Sequence, residues 1–442
     1  MTDCTVIELN DAGLALYRGE NELLVSPACA LVTRDTLKVG DSAYREARLK
    51  PHLAHTQFWT KLSMDPLPQP GHRARNYADL AYAHLAHLWE RGGVDDGDVI
   101  LAVPSTFGRE QLGLLLGIAR ECPFNPVGLV DSAVAAAADL ARSGPILHVD
   151  LHLQRAIVTL MRANATVELE SLEEVPALGI ASLHDAWIAL IADLFIRETR
   201  FDPLHSAESE QSIYNELPRW LQGLHDAPDV VVEITASGSP RRISLPRARL
   251  IEHVQARYDA LVTALSKRAS ALGEVTVLVS HRVSMAPGLA AAIAAIPGLE
   301  VLALQSDAAV RGALARANEI RSSGEALAFV TRLSASDAQR PAELVPKAPA
   351  TRARPTHLLW GHEAYALEAG SVPIGGEGGL VRTVVCPAQL HHDAKGTALV
   401  NAAADLRVNG EPASAGQELY AGDRIQFQDH EFYMISVAGH GA

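Results

Sequence analysis

The residues whose types and spacing suggest chemistry are a few histidines, hydroxyls and carboxylates. His148 and His152 stand four apart, a metal-ligand spacing on a helix, and His391-His392 are adjacent. The first pair falls in a segment that reads as a strand and not a helix, and on a strand the adjacent pair diverges to opposite faces, so neither pair is expected to hold a metal. Ser105-Thr106 offers hydroxyls, but no Gly-x-Ser-x-Gly elbow surrounds them. Asp131 and Ser132 each suit the N-cap of the alanine-rich segment that follows. Asp150 closes a strand, where it could cap a turn, and Glu8 could be a solvent-facing strand residue. Four arginines lie between Pro240 and Arg249 and read as a solvated face.

The background composition narrows the function classes. Hydrophobic residues make up 48% and charged residues 20% of 442 residues, enough to bury a core in two or three domains. The net charge of −14, from 38 basic and 52 acidic residues, disfavours nucleic acid or an anionic membrane as partner. No apolar run reaches the roughly 18 residues of a membrane helix, and Met1-Thr2-Asp3-Cys4-Thr5 does not begin a secretory signal. Cys4, Cys29, Cys122 and Cys386 are far apart, as thiols of a reducing compartment would be. The expected location is the cytoplasm.

The elements that must position these residues alternate. Strands are expected at Thr5–Leu9, Leu14–Tyr17 and Leu23–Ser26, then a helix over Asn76–Glu90 ended by Gly92-Gly93. A strand at Asp98–Val103, a helix at Gly108–Cys122, a strand at Gly128–Val130 and a helix at Ser132–Ser143 follow. Strands at Ile146–Leu151 and Arg155–Arg162 open a second series. It continues with helices at Ala181–Phe195, at Ser206–Leu221 with a break at Pro218, and at Arg247–Leu272. Strands are expected at Val275–Val279 and Glu300–Leu304. Residues 336–355 read as a linker rich in Ala, Pro, Ser and Arg, and 356–442 as a small all-β sandwich with a hairpin turn at Asn409-Gly410. No internal repeat of fixed period is visible.

The order of short motifs resembles the ATPase domain of the 70-kDa heat-shock chaperones and the wider actin-like superfamily. Val103-Pro104-Ser105-Thr106-Phe107 is similar to that family's Val-Pro-Ala-x-Phe. Asp131-Ser132-Ala133-Val134-Ala135 stands where it has Asn-Glu-Pro-Thr-Ala. Ile7-Glu8-Leu9-Asn10 and Val149-Asp150-Leu151 stand where it has its two Asp-containing phosphate hairpins. Leu245-Pro246-Arg247-Ala248-Arg249-Leu250 and Ser306-Asp307-Ala308-Ala309-Val310 resemble two further motifs, all in collinear order. The resemblance implies an α/β, two-lobed, actin-like (ribonuclease-H-like) ATPase fold over residues 1–335, with lobe I about 1–145 and lobe II about 146–335. The tail resembles a forkhead-associated domain through Asn409-Gly410 and Leu419-Tyr420-Ala421-Gly422-Asp423-Arg424-Ile425. It lacks that family's Gly-Arg, reading Ile374-Gly375-Gly376, and keeps only His391 of its Ser-x-x-His.

In the ATPase family, backbone amides of glycine loops cradle the phosphates, carboxylates hold Mg²⁺ largely through water, and a lysine neutralises transferring charge. Carried over by position, the resemblance implies Glu8 and Asp150 as catalytic carboxylates and Mg²⁺ holders and Lys61 as the phosphate lysine; Asp131, one position before the family's third carboxylate, joins the catalytic set only if its loop shifts. The nucleotide loops fall on Asn10, Asp11, His152, Ser280 and His281. Here the pattern departs from the family. Ser132 replaces its Glu, Asn10-Asp11-Ala12 replaces Gly-Thr-Thr, His152-Leu153-Gln154 replaces three glycines, and Ser280-His281 replaces Gly-Gly. Side chains are therefore expected to fill the space of the phosphates. Two readings result. One is a degenerate binding or scaffold protein with a protein partner, little or no nucleotide binding and no cofactor. The other is a divergent ATPase using Mg-ATP.

Overall fold

The computed structural model of the chain describes residues 4–94, 97–140, 142–236, 239–322, 327–336, 343–345, 355–360, 363–367, 370–374, 388–392, 398–401, 406–414, 416–427 and 430–436. It is a mixed α/β protein with several sheets and, among the described residues, eleven α-helices. Residues Met1–Lys347 form one compact unit and Ala348–Ala442 a second.

The first unit is built on two large sheets with one strand order. In the first, Thr5–Asn10 is central. It pairs antiparallel with Gly13–Arg18, which pairs antiparallel with Asn21–Pro27. On its other side it runs parallel to Asp98–Val103, which runs parallel to Asn125–Asp131. In the second sheet Gly144–Leu151 takes the central place. Arg155–Ala163 and Thr166–Pro176 follow antiparallel, and Thr276–Val279 and Glu300–Ala303 lie parallel on the other side. The chain then returns: Phe329–Val330 adds to the first sheet beside Leu129-Val130, and Arg332–Ser334 adds to the second. The first sheet therefore takes in residues beyond 146, where the sequence places the second lobe alone. Glu343–Leu344, inside the expected linker, pairs antiparallel with Leu302 and Ala303 because that sheet edge is open. The rest of that linker, 337–342 and 346–354, lies outside the described residues.

Helices cover the sheets by burying apolar stripes. Tyr77–Gly92 packs Leu80, Ala81, Leu85 and Leu88 against the first sheet. It starts with a capping box between Asn76 and Asp79 and ends at Gly93 in the left-handed region, φ 65°. Ile180–Thr199 and Arg247–Leu272 share one core with the second sheet, and Ala207–Asp226 packs on a separate hairpin, Asp229–Ala236 with Ser239–Pro246. Pro218 does not break its helix. It is exposed, while Ile213, Leu217, Trp220, Leu221 and Leu224 are buried on the other face, and that burial offsets the roughly 3 kcal/mol that an interior proline costs.

Between the two sheets lies a core of small residues. Ser132–Ala138 and Ala308–Ala315 cross so closely that a Cβ on Gly312 would sit 1.8 Å from the Ala135 carbonyl oxygen. The alanine helix ends at Ala138, short of Ser143. There Arg316 Nη2 donates to the Ala138 carbonyl at 2.8 Å, satisfying an end that would otherwise be buried unpaired.

The second unit contains a six-stranded and a four-stranded antiparallel sheet around Leu358, Leu390, Leu406, Leu419, Ile425, Phe432 and Met434. Asn409 (φ 55°) and Gly410 (φ 91°) form the expected tight turn. Asn409 Nδ2 donates to Asp423 Oδ1 at 3.0 Å and its Oδ1 accepts from Arg424 N at 3.0 Å, so these motif residues brace one another. Gly375 and Gly376 and the side chain of His391 lie outside the described residues. No helix among the described residues is long and apolar enough to cross a membrane.

Candidate functional site

The carboxylates of the two central strands meet across the interface of the sheets. Glu8 and Asp150 are both buried, and between them stands Arg282. Its Nε and Nη2 donate to Asp150 Oδ1 and Oδ2, each at 3.0 Å, and Nη2 also reaches Glu8 Oε1 at 2.9 Å. Arg282 is the second residue of the short helix His281–Met285, which Ser280 caps by accepting from Val283 N at 3.3 Å. Burial opposes the charge on every member of this triad. For Asp150 the Arg282 guanidinium outweighs burial and holds the carboxyl well below its usual range. For Glu8 burial wins over Arg282 and the carboxyl is raised. Arg282 itself is raised, because Asp150 and Glu8 outweigh its burial.

The turns of the two hairpins are joined by side chains. Asn10 Oδ1 accepts from Ala12 N at 2.9 Å, ordering its own turn, and Asn10 Nδ2 donates to Asp150 Oδ2 at 3.1 Å and to the Leu151 carbonyl at 3.3 Å. Asp11 Oδ1 accepts from Leu153 N at 2.6 Å, and Oδ2 from Thr60 Oγ1 at 2.9 Å. His152 lies buried between them, its Nδ1 3.5 Å from Asp11 and its Nε2 3.9 Å from Asp150. Polar side chains thus hydrogen-bond from one hairpin to the other.

The space that remains beside this knot is about 30 Å³, lined by Glu8, His148, Asp150, Ser280, Arg282 and Ser306 among others. That is room for about two waters, whereas small-molecule sites span roughly 300–1,000 Å³. His148 faces this space, and burial pushes its imidazole down to about 4, so it is neutral at pH 7.

The other candidates are placed elsewhere. Asp131 is fully buried and caps the Ser132–Ala138 helix, accepting from Val134 N at 2.9 Å and from the Ser105 hydroxyl. Burial raises its carboxyl to about 6. It does not join Glu8 and Asp150; its neighbour Ser132 lines the small cavity instead. Lys61 is exposed and pairs with no carboxylate among the described residues, because only its neighbour Thr60 turns inward to Asp11. His281 is exposed, and Ser280 acts as a cap. The arginines of 240–249 are largely paired, Arg242 with Glu233 and Arg249 with Glu252, and Arg241 lies over the Phe201 ring.

Magnesium and nucleotide do not fit this arrangement. Both Asp150 oxygens and one of Glu8 are engaged by a guanidinium, and the turns after Thr5–Asn10 and Gly144–Leu151 are bridged by side-chain hydrogen bonds. Among the described residues no three His, Cys, Asp or Glu side chains are arranged to hold a metal ion. Arg282 is the residue that sequence reasoning missed. Its signal was electrostatic: two carboxylates on strands that meet in a core need a cation, and the segment after Thr276–Val279 carries an arginine directly after Ser280-His281. The chain matches no family model and no curated protein.

Proposed function

We propose that this chain is a divergent member of the two-lobed actin and heat-shock-chaperone ATPase type whose nucleotide site is closed by its own side chains, and that it serves as a cytoplasmic binding or scaffold protein for another protein. The observation that carries this reading is Arg282 between Glu8 and Asp150. The bidentate guanidinium offsets the charge of Asp150, and burial raises the Glu8 carboxyl towards its neutral form, so little charge is left for an ion to balance. The shared strand order of the two sheets supports the two-lobed architecture. Fold alone does not fix function, and here the closed site argues against turnover. The C-terminal β unit, forkhead-associated-like in its Asn409–Asp423 brace, supplies a second surface for contact.

The test is thermal unfolding with and without millimolar Mg-ATP. Ligand at 100 times its dissociation constant adds about 2.7 kcal/mol. An unchanged transition is expected, and a clear upward shift overturns the reading in favour of an active ATPase.

A further inference from the structure

The two halves of the first unit are also joined by residues other than Arg282. The excursion between Asn21–Pro27 and Tyr77–Gly92 carries a short helix, Asp41–Tyr44, with Arg48 in the turn that follows it. Arg48 reaches the helices Ile180–Thr199 and Ala207–Asp226. Its Nη2 lies 2.9 Å from Asp185 Oδ1, its Nη1 3.4 Å from Glu210 Oε1, and its guanidinium carbon 3.7 Å from the centre of the Tyr214 ring. Tyr214 OH donates to the same Asp185 oxygen at 2.5 Å. Backbone atoms are tied as well. Arg48 N donates to Gln211 Oε1 at 2.7 Å, and Gln211 Nε2 donates to the Tyr44 carbonyl at 3.0 Å.

We propose that this knot is a clasp that holds the two halves of the first unit in one closed arrangement without any ligand, so that the surface offered to a partner is constitutive. The proposal rests on the self-closed site described above and extends it. Exposed ion pairs alone contribute little. Three features distinguish this one. Gln211 is buried, and its amide oxygen and nitrogen both bond to backbone of the other half. Arg48 adds cation–π stacking to its two ion pairs. Asp185 is fixed by Tyr214, so less side-chain freedom is lost on closing. Arg282 and the clasp close the same interface at two separated places, so loosening one leaves the other.

The full chain tests this by hydrogen exchange over residues 41–55 and by the distance between spin labels at the exposed positions Met64→Cys and Arg219→Cys. The wild-type chain is expected to give one narrow distance distribution, the same with and without Mg-ATP. Gln211→Ala and Arg48→Ala are each expected to speed exchange in 41–55 by roughly tenfold, the change that ~1.4 kcal/mol gives, while the chain still unfolds cooperatively. Combining Gln211→Ala with Arg48→Ala is expected to broaden the distances towards longer values. Two broad populations in the wild type, or unchanged exchange and distance in the double variant, overturn the clasp. Either result leaves the Mg-ATP melting test intact, so failure of the clasp is distinguishable from failure of the closed site.

Discussion

Arg282 and Asp150 are joined by two parallel hydrogen bonds of 3.0 Å, from Nε to Oδ1 and from Nη2 to Oδ2. The pair bridges the two sheets, since Asp150 lies on the central strand of the second and the same guanidinium holds Glu8 on the central strand of the first.

Removing the guanidinium leaves two buried carboxylates facing each other. Arg282→Met is expected to lower stability by about 3–5 kcal/mol, as broken buried pairs do. The triple variant with Glu8→Gln and Asp150→Asn is expected to recover most of that loss. Urea unfolding at pH 7 measures both, and an Arg282→Met chain as stable as the wild type contradicts the triad's role.

Asp131 sets a pH dependence of defined sign. Its carboxyl is raised to about 6 by burial, above the 3.8 of an unperturbed aspartate. Between those values the folded chain holds a proton that the unfolded chain releases. This contribution is therefore fully present below about pH 4 and is lost as pH rises through 6. Asparagine caps as well as aspartate and carries no charge. Asp131→Asn is expected to gain on the wild type by up to ~3 kcal/mol at pH 7 and to lose that advantage by pH 4. Parallel stability curves for the two chains over pH 4–7 contradict the assignment.

Gly312 and Gly113 should respond oppositely to alanine. At Gly312 the new methyl meets the Ala135 carbonyl at 1.8 Å, and backbone cannot give way cheaply. A loss of roughly 1–3 kcal/mol is expected. At Gly113, inside the helix Arg109–Glu121, nothing lies within 4 Å, and alanine is expected to stabilise by roughly 0.5–1 kcal/mol. Melting temperatures of the two variants decide, and a similar shift in both removes the close crossing as a constraint.

His84 is buried in a relay of fixed direction. Trp59 Nε1 donates to its Nδ1 at 3.0 Å, so Nε2 carries the hydrogen and donates to Ser26 Oγ at 2.9 Å. Burial pushes the ring down to about 3, which keeps it neutral. Trp59→Phe leaves Nδ1 unpaired and is expected to cost about 1–3 kcal/mol beyond the lost packing. A double-mutant cycle with His84→Leu measures the coupling, and zero coupling rejects the relay.

The hairpin strands, the Tyr77–Gly92 helix with its glycine stop, and the long Arg247–Leu272 helix were legible in the sequence because each carries its own periodicity and its own end signals. The turn at Asn10-Asp11 was legible because such residues bond to nearby backbone, as Asn10 Oδ1 does to Ala12 N. Pro218 misled because burial of one helix face outweighed a local rule. Arg282 was not legible because its role arises from two partners, Glu8 and Asp150, that lie 274 and 132 positions away. The order of elements in each half, hairpin strands and then strand–helix units, was legible, while the pairing of strands distant in the chain, such as Phe329–Val330 with Leu129-Val130, leaves no local signal.

The return of Phe329–Val330 to the first sheet has a consequence for synthesis. These residues lie parallel beside Leu129-Val130, so the first sheet stays one strand short until the ribosome has made about 200 further residues. At roughly 5–20 residues per second, that edge waits about 10–40 s. During this time the nascent chain displays an unpaired parallel edge, and translation speed through the intervening segment sets how long it remains available to other strands.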